Sequence, residues 1–136
     1  MRGFSLMELM IVLVVAGLIL GFGLPSYHHY MESQALVGTS QNLVQSVQLQ
    51  RSRAMATGQT VTMNFDTTGG RWFTLQGSKS NRYVLPRGVR FARANPASIQ
   101  FTRDGHVNTS AIVAFRNTHG ATDTVSILVS GLALVR

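Results

Sequence analysis

Hydrophobic and polar positions divide the chain into three stretches of different period. Between Leu9 and Tyr27 no residue is charged, and the wider run from Phe4 to Leu24 holds 21 residues with one charge, Glu8. Polar residues do not recur on it at helical spacing, so it does not read as a half-buried core helix. Wound as a helix it would measure about 31 Å, close to the thickness of a bilayer's hydrocarbon core. From Ser26 to Thr57 the character changes. Met31, Ala35, Leu36, Leu43, Val44, Val47, Ala54 and Met55 fall at helical spacing and mark one apolar face, and Gly58 supplies a stop. Phe4 to Thr57 is thus predicted as one helix whose second half needs a surface to cover it.

Beyond Gly58 the period shortens to two. Val61, Met63 and Phe65 alternate with Thr60, Thr62 and Asn64, and Asp66-Thr-Thr-Gly-Gly70 reads as a turn into a strand at Arg71–Leu75. Val89 and Phe91 flank Arg90, Ile99 and Phe101 flank Gln100, and Asp104-Gly105 reads as a hairpin turn. Later strands are predicted at Ile112–Phe115, Thr124–Ser130 and Leu132–Val135. One N-terminal helix packed on an antiparallel β-sheet is an α+β arrangement with segregated elements.

The length, 136 residues, suits one compact domain with a single long element attached. The absence of cysteine excludes a disulfide framework, a thiol nucleophile and Cys-ligated metal sites. Arg2 precedes the apolar run, yet Pro25-Ser-Tyr-His-His-Tyr30 follows it without the small-residue pattern of a secretory cleavage site, so the run is read as retained. A carboxylate one turn into a membrane helix costs about 2–3 kcal/mol unless it is paired or interfacial. Glu8 is therefore read either as an interfacial group or as one awaiting a cationic partner.

The N-terminal Gly3-Phe4-Ser5-Leu6-Met7-Glu8 followed by an apolar run resembles the processing signal of type IV prepilins and type II secretion pseudopilins. The resemblance implies cleavage by a prepilin peptidase between Gly3 and Phe4, N-methylation of Phe4, and a short leader, residues 1–3. It also implies that Glu8 neutralises the new ammonium of Phe4 on a neighbouring subunit during fibre assembly, which suits the rule that a buried carboxylate needs a partner. The implied fold is that of the type IV pilins, with a helix whose first part (4–25) is transmembrane, an amphipathic helix at 26–58 and a β-sheet head at 59–136. Gly17-Leu-Ile-Leu-Gly21 has small-residue spacing for close helix packing. Gly21, Gly23 and Pro25 weaken the helix, through local melting in an assembled fibre or through a simple kink.

Later motifs narrow the resemblance to the GspH/FimT group of minor pilins. These are Arg51-Ser-Arg-Ala-Met-Ala-Thr-Gly-Gln-Thr-Val61, Phe101-Thr-Arg-Asp-Gly105 and Val129-Ser-Gly-Leu-Ala-Leu-Val-Arg136. DNA-binding members of that group carry a Gly-Arg-x-Arg-like tail, of which this chain keeps only Arg136. The implied partners are other pilins or pseudopilins in a fibre, the prepilin peptidase, an inner-membrane assembly platform, and inner-membrane lipid before assembly. The implied location is a single-pass bacterial inner-membrane protein with its head in the periplasm, then a pilus or pseudopilus. Type IV pilus and type II secretion remain open at this point.

No residue set suggests an enzyme, a metal site or a cofactor. His28 and His29 are adjacent, so on a helix they point to different sides, and His106 and His119 have no acidic residue at ligand spacing. Asp66, Asp104 and Asp123 each adjoin turn-forming residues and are read as turn residues. The remaining chemistry is positive charge. Eleven of the twelve basic residues but four of the five acids lie beyond Tyr30, and Lys79, Arg82, Arg87, Arg90 and Arg93 fall in a stretch without an acid. With Arg136 these are the candidate residues for DNA or another polyanion. A solvated face, an acidic cell-surface polymer and the acidic face of another pilin are the alternatives. Alternating strand geometry threatens the grouping, because Arg90 and Arg93 differ by an odd step.

Overall fold

Helix α1 runs from Leu6 to Thr57 in the computed structural model, which describes residues 5–68, 71–74 and 82–136. Ser5 caps it: its Oγ accepts from the Met7 N–H at 3.2 Å and its carbonyl accepts from Glu8 and Leu9. Gly58, at φ 64°, ends it in the left-handed conformation that glycine adopts without a Cβ penalty. In this single chain α1 is helical through Gly21, Gly23 and Pro25; the expectation of melting concerns an assembled fibre.

Two compact units make up the chain, Met1–Met31 and Glu32–Arg136. In the first, the described apolar side chains from Leu6 to Phe22 are exposed. Among the described residues no helix is long and apolar enough to cross a membrane. The side chains described at its start end at Phe22, and Phe4 and the side chain of Leu24, which belong to the apolar run, lie outside the description.

In the second unit α1 buries Leu36, Leu43, Val47 and Ala54, four of the eight predicted face residues. Ala35 and Val44 are half-buried, whereas Met31 and Met55 are half exposed. The same face also buries Thr39, Ser40 and Gln50, which a hydrophobic pattern does not register. Thr39 and Ser40 satisfy their hydroxyls on the carbonyls of Ala35 and Leu36, one turn back. Among the described residues Gln50 has no hydrogen-bond partner for either amide atom.

The strands are β1 (Val61–Asn64), β2 (Trp72–Thr74), β3 (Arg82–Val84), β4 (Val89–Asn95), β5 (Ser98–Phe101), β6 (Ala111–Asn117), β7 (Thr122–Ile127) and β8 (Ala133–Val135). They do not form the single predicted sheet. Among the described residues three antiparallel ladders form instead: β1 with β5, β2 with β3, and the four-stranded β4-β6-β7-β8. Strands of three or four residues sustain only short ladders; an isolated bridge from Phe65 to Phe73 links the first two, and another joins Phe101 of β5 to Val107. Strand β3 was not predicted, and the predicted turn glycines Gly69 and Gly70, with Leu75, lie outside the described residues.

Aromatic side chains join the ladders into one core. Tyr83 stacks on Phe73 at 5.0 Å between centroids, Phe73 meets Phe65 at 6.5 Å, Phe65 meets Phe91 at 6.2 Å, and Phe91 meets Phe115 at 5.0 Å. That series crosses from β3 to β6, each contact contributing about 0.5–1.5 kcal/mol beyond simple burial. Asn42 on α1 donates to the Tyr83 hydroxyl at 3.1 Å, tying the helix to its far end.

Candidate functional site

At the N-terminus Glu8 lies exposed in the first turn of α1, three residues after its cap. An acid there is favoured by the partial positive charge of the helix start. No bond to its carboxylate occurs among the described residues, and Gly3 and Phe4 lie outside them.

The arginines are sorted by strand register. Along β6 the buried residues Ala111, Val113, Phe115 and Asn117 face the core, so Ile112, Ala114 and Arg116 face away from it. Arg90 pairs with Arg116 and Phe91 with Phe115, but the next pair is Arg93 with Ala114. Ala92 has no partner in this register, which is the mark of a β-bulge. The bulge absorbs the odd step between Arg90 and Arg93, and both lie on the outward face. Ala114 pairs with Thr124, whose carbonyl accepts from the Arg136 N–H at 2.8 Å.

Arg93, Ala114, Thr124 and Arg136 therefore form one row across four strands. Arg90, Arg116 and Thr122 form the next, two residues or about 7 Å along. No Asp or Glu occupies an outward position of this sheet; Asp123 pairs with Phe115 and so takes an inward position. Arg116, outside the predicted stretch, is thus a member of the basic face. Arg82 is not: it stacks on Trp72 at 5.1 Å within the β2–β3 ladder. Arg87 sits in the turn before β4, and Lys79 lies outside the described residues.

Sequence reading missed the contact at the other end of the sheet. Glu32 on α1 accepts from Thr118 Oγ1, and its Oε2 lies 2.7 Å from His119 Nδ1. Eighty-seven residues separate Glu32 and His119, so spacing could not reveal the pair. Asn117 shapes the hairpin that presents His119, its Oδ1 accepting from the N–H groups of His119 at 3.1 Å and Ala121 at 2.8 Å. That hairpin turn, and not Asp123, holds the local cap; Asp123 belongs to β7 and bonds the N–H of Thr124. Asp66 does act as a turn residue, accepting from Thr68 at 3.2 Å. Among the described residues no group of three His, Asp or Glu could hold a metal ion.

No family model and no curated protein sequence matches the chain. Solved structures do. A crystal structure of the type IV minor pilin FimU of Pseudomonas aeruginosa superposes with a TM-score of 0.61 at 17% identity, over 79% of this chain and 92% of that one. The same protein in a second crystal form gives 0.59 at 15% identity, over 74% and 92% of the two chains. The minor pseudopilin EpsH of the Vibrio cholerae Type 2 Secretion System gives 0.59 at 18% identity, over 74% and 95%. The chain has the fold of the minor pilins and pseudopilins.

Proposed function

We propose that this chain is a minor pilin or minor pseudopilin, made as a precursor, cut between Gly3 and Phe4 by a prepilin peptidase and N-methylated at Phe4. Its apolar helix holds it in the inner membrane with the head outside until an assembly platform builds it into a fibre, or uses it to prime one. The observation that carries this reading is the Gly3-Phe4 junction, with Glu8 and an exposed apolar run, attached to a head of the minor pilin fold. An uncovered run of this length needs lipid or neighbouring helices around it. The Phe4 ammonium of the next subunit is the counter-charge proposed for Glu8, which lies near the helix start. Of the neighbours with this fold, one is named a type IV minor pilin and another a minor pseudopilin of a Type 2 Secretion System. Mass spectrometry of the membrane-extracted protein tests the proposal: the mature chain should begin at N-methylated Phe4, and any other start would overturn it.

A second role on the same subunit is supported by the outward sheet face. Arg90, Arg93, Arg116 and Arg136 share it without an acid. An extended polyanion such as the DNA taken up in natural transformation fits two rows of cations presented on a sheet with no recognition helix. The salt dependence of duplex binding tests it.

A further inference from the structure

The turn that leads into β4 gathers arginines from three places around one cavity. Arg71 precedes β2, and its carbonyl accepts from Leu85 at 2.8 Å. Arg87 lies in the turn closed by the Val89 N–H on the Pro86 carbonyl at 3.2 Å, and Arg90 is the second residue of β4. With Gly88, Val89 and Thr118, these three residues line a cavity of about 540 Å³. Gly88 holds a φ of 84°, and a Cβ there would meet the Glu32 carboxyl carbon at 3.3 Å, so a glycine lets the turn close against the cavity's neighbour.

Three like charges around one cavity repel unless something negative joins them. Neither Arg71, Arg87 nor Arg90 makes an ion pair with another described residue. Arg90 has a further cation, Arg116, directly across the strand pair, where like charges are unfavourable. The carboxylate beside the cavity, Glu32, is engaged by Thr118 and His119. The fold thus keeps a cationic cavity whose adjoining acid is held by other partners.

We infer that this cavity is a binding site for a phosphoryl group. Guanidinium forks bind phosphate oxygens bidentately, and a tetrahedral dianion offers oxygens in several directions where a planar carboxylate offers two. The charge of a phosphate dianion offsets most of that of three arginines. The cavity volume exceeds that of a bare phosphate and matches a small phosphorylated molecule or a lipid headgroup. The site stands on its own geometry and does not depend on whether the chain enters a fibre.

The test uses the full chain in alkyl-maltoside micelles, which carry no phosphoryl group, titrated with inorganic phosphate by isothermal calorimetry. Saturable one-to-one binding at about 1 mM or tighter is expected. Arg71→Gln and Arg87→Gln should each weaken it about tenfold, with unchanged thermal midpoints, whereas Arg103→Gln, at an exposed turn outside the cavity lining, should leave it intact. Repeating the titration in nanodiscs containing phosphatidylglycerol identifies the source. An apparent phosphate affinity that falls there means a lipid headgroup competes for the site, and an unchanged one means a free phosphorylated molecule is the ligand. Absence of saturable binding, or equal weakening by Arg103→Gln, would overturn the inference.

Discussion

The Arg51 Nε donates to the carbonyl oxygen of Gly105 at 3.1 Å, and the same guanidinium packs against Gly131, its Nε 3.0 Å from where a Cβ would stand. Three segments distant in the chain meet there: the end of α1, the turn after β5, and the turn before β8. They are also the segments that carry the later minor pilin motifs. Individually loose in sequence, they form a single structural joint.

Gly131 is the tightest part of that joint. Its φ is 78°, and an added Cβ would collide with the Gly105 carbonyl oxygen as well as with Arg51. Gly131→Ala should lower stability by about 2–3 kcal/mol. Gly120→Ala, with a φ of 87° but open space around it, should cost about 1 kcal/mol. Urea denaturation of the two variants separates crowding from backbone strain; equal losses would mean the joint has room to relax.

Gln50 is fully buried, and its amide has no partner among the described residues. Replacing it by Met keeps the volume similar and removes the desolvation cost, so Gln50→Met should raise stability by about 1 kcal/mol. A fall in the thermal midpoint would show that the amide is satisfied in solution.

Glu32 and His119 connect α1 to the β6–β7 hairpin, with side chains 29% and 37% exposed. Their partial exposure limits the pair to roughly 0.5–1 kcal/mol. A double-mutant cycle with Glu32→Gln and His119→Ala should recover a coupling of that size, and additive losses would dismiss it.

On the outward face, duplex DNA of roughly 20 base pairs should bind the chain with a log–log salt slope of about −3 to −4 between about 50 and 200 mM salt. Arg90→Gln, Arg93→Gln, Arg116→Gln and Arg136→Gln should each flatten the slope by about 0.9, and Arg82→Gln should not. Fluorescence anisotropy is the measurement. A slope untouched by Arg116→Gln would remove the sheet face from the interaction.

On the proposed fibre role, Glu8→Ala should leave membrane insertion and the head intact while reducing incorporation, because the counter-charge proposed for the Phe4 ammonium of a neighbour would be lost. Wild-type recovery of Glu8→Ala in sheared fibres would refute the pairing. Gly3→Val should accumulate uncleaved precursor on immunoblots.

What the sequence determined was local. Apolar positions at three- and four-residue steps located α1, alternation located seven of the eight strands, and Gly58 and Gly105 marked a helix end and a turn, because each depends on residues a few positions apart. Strand β3 escaped because its three residues are too few to show a period. Buried Thr39, Ser40 and Gln50 escaped because polarity conceals burial.

Which arginines share a face was decided by tertiary structure alone. One unpartnered residue, Ala92, turns Arg93 to the side of Arg90, and pairing between strands distant in sequence adds Arg116 and Arg136 to them. Once the backbone folds, the run of charges is divided among the outward sheet face (Arg90, Arg93), the turn before β4 (Arg87) and the β2–β3 ladder (Arg82). Register, fixed by the burial of Val113 and Phe115 on the opposite side of β6, sets which of those charges share a surface.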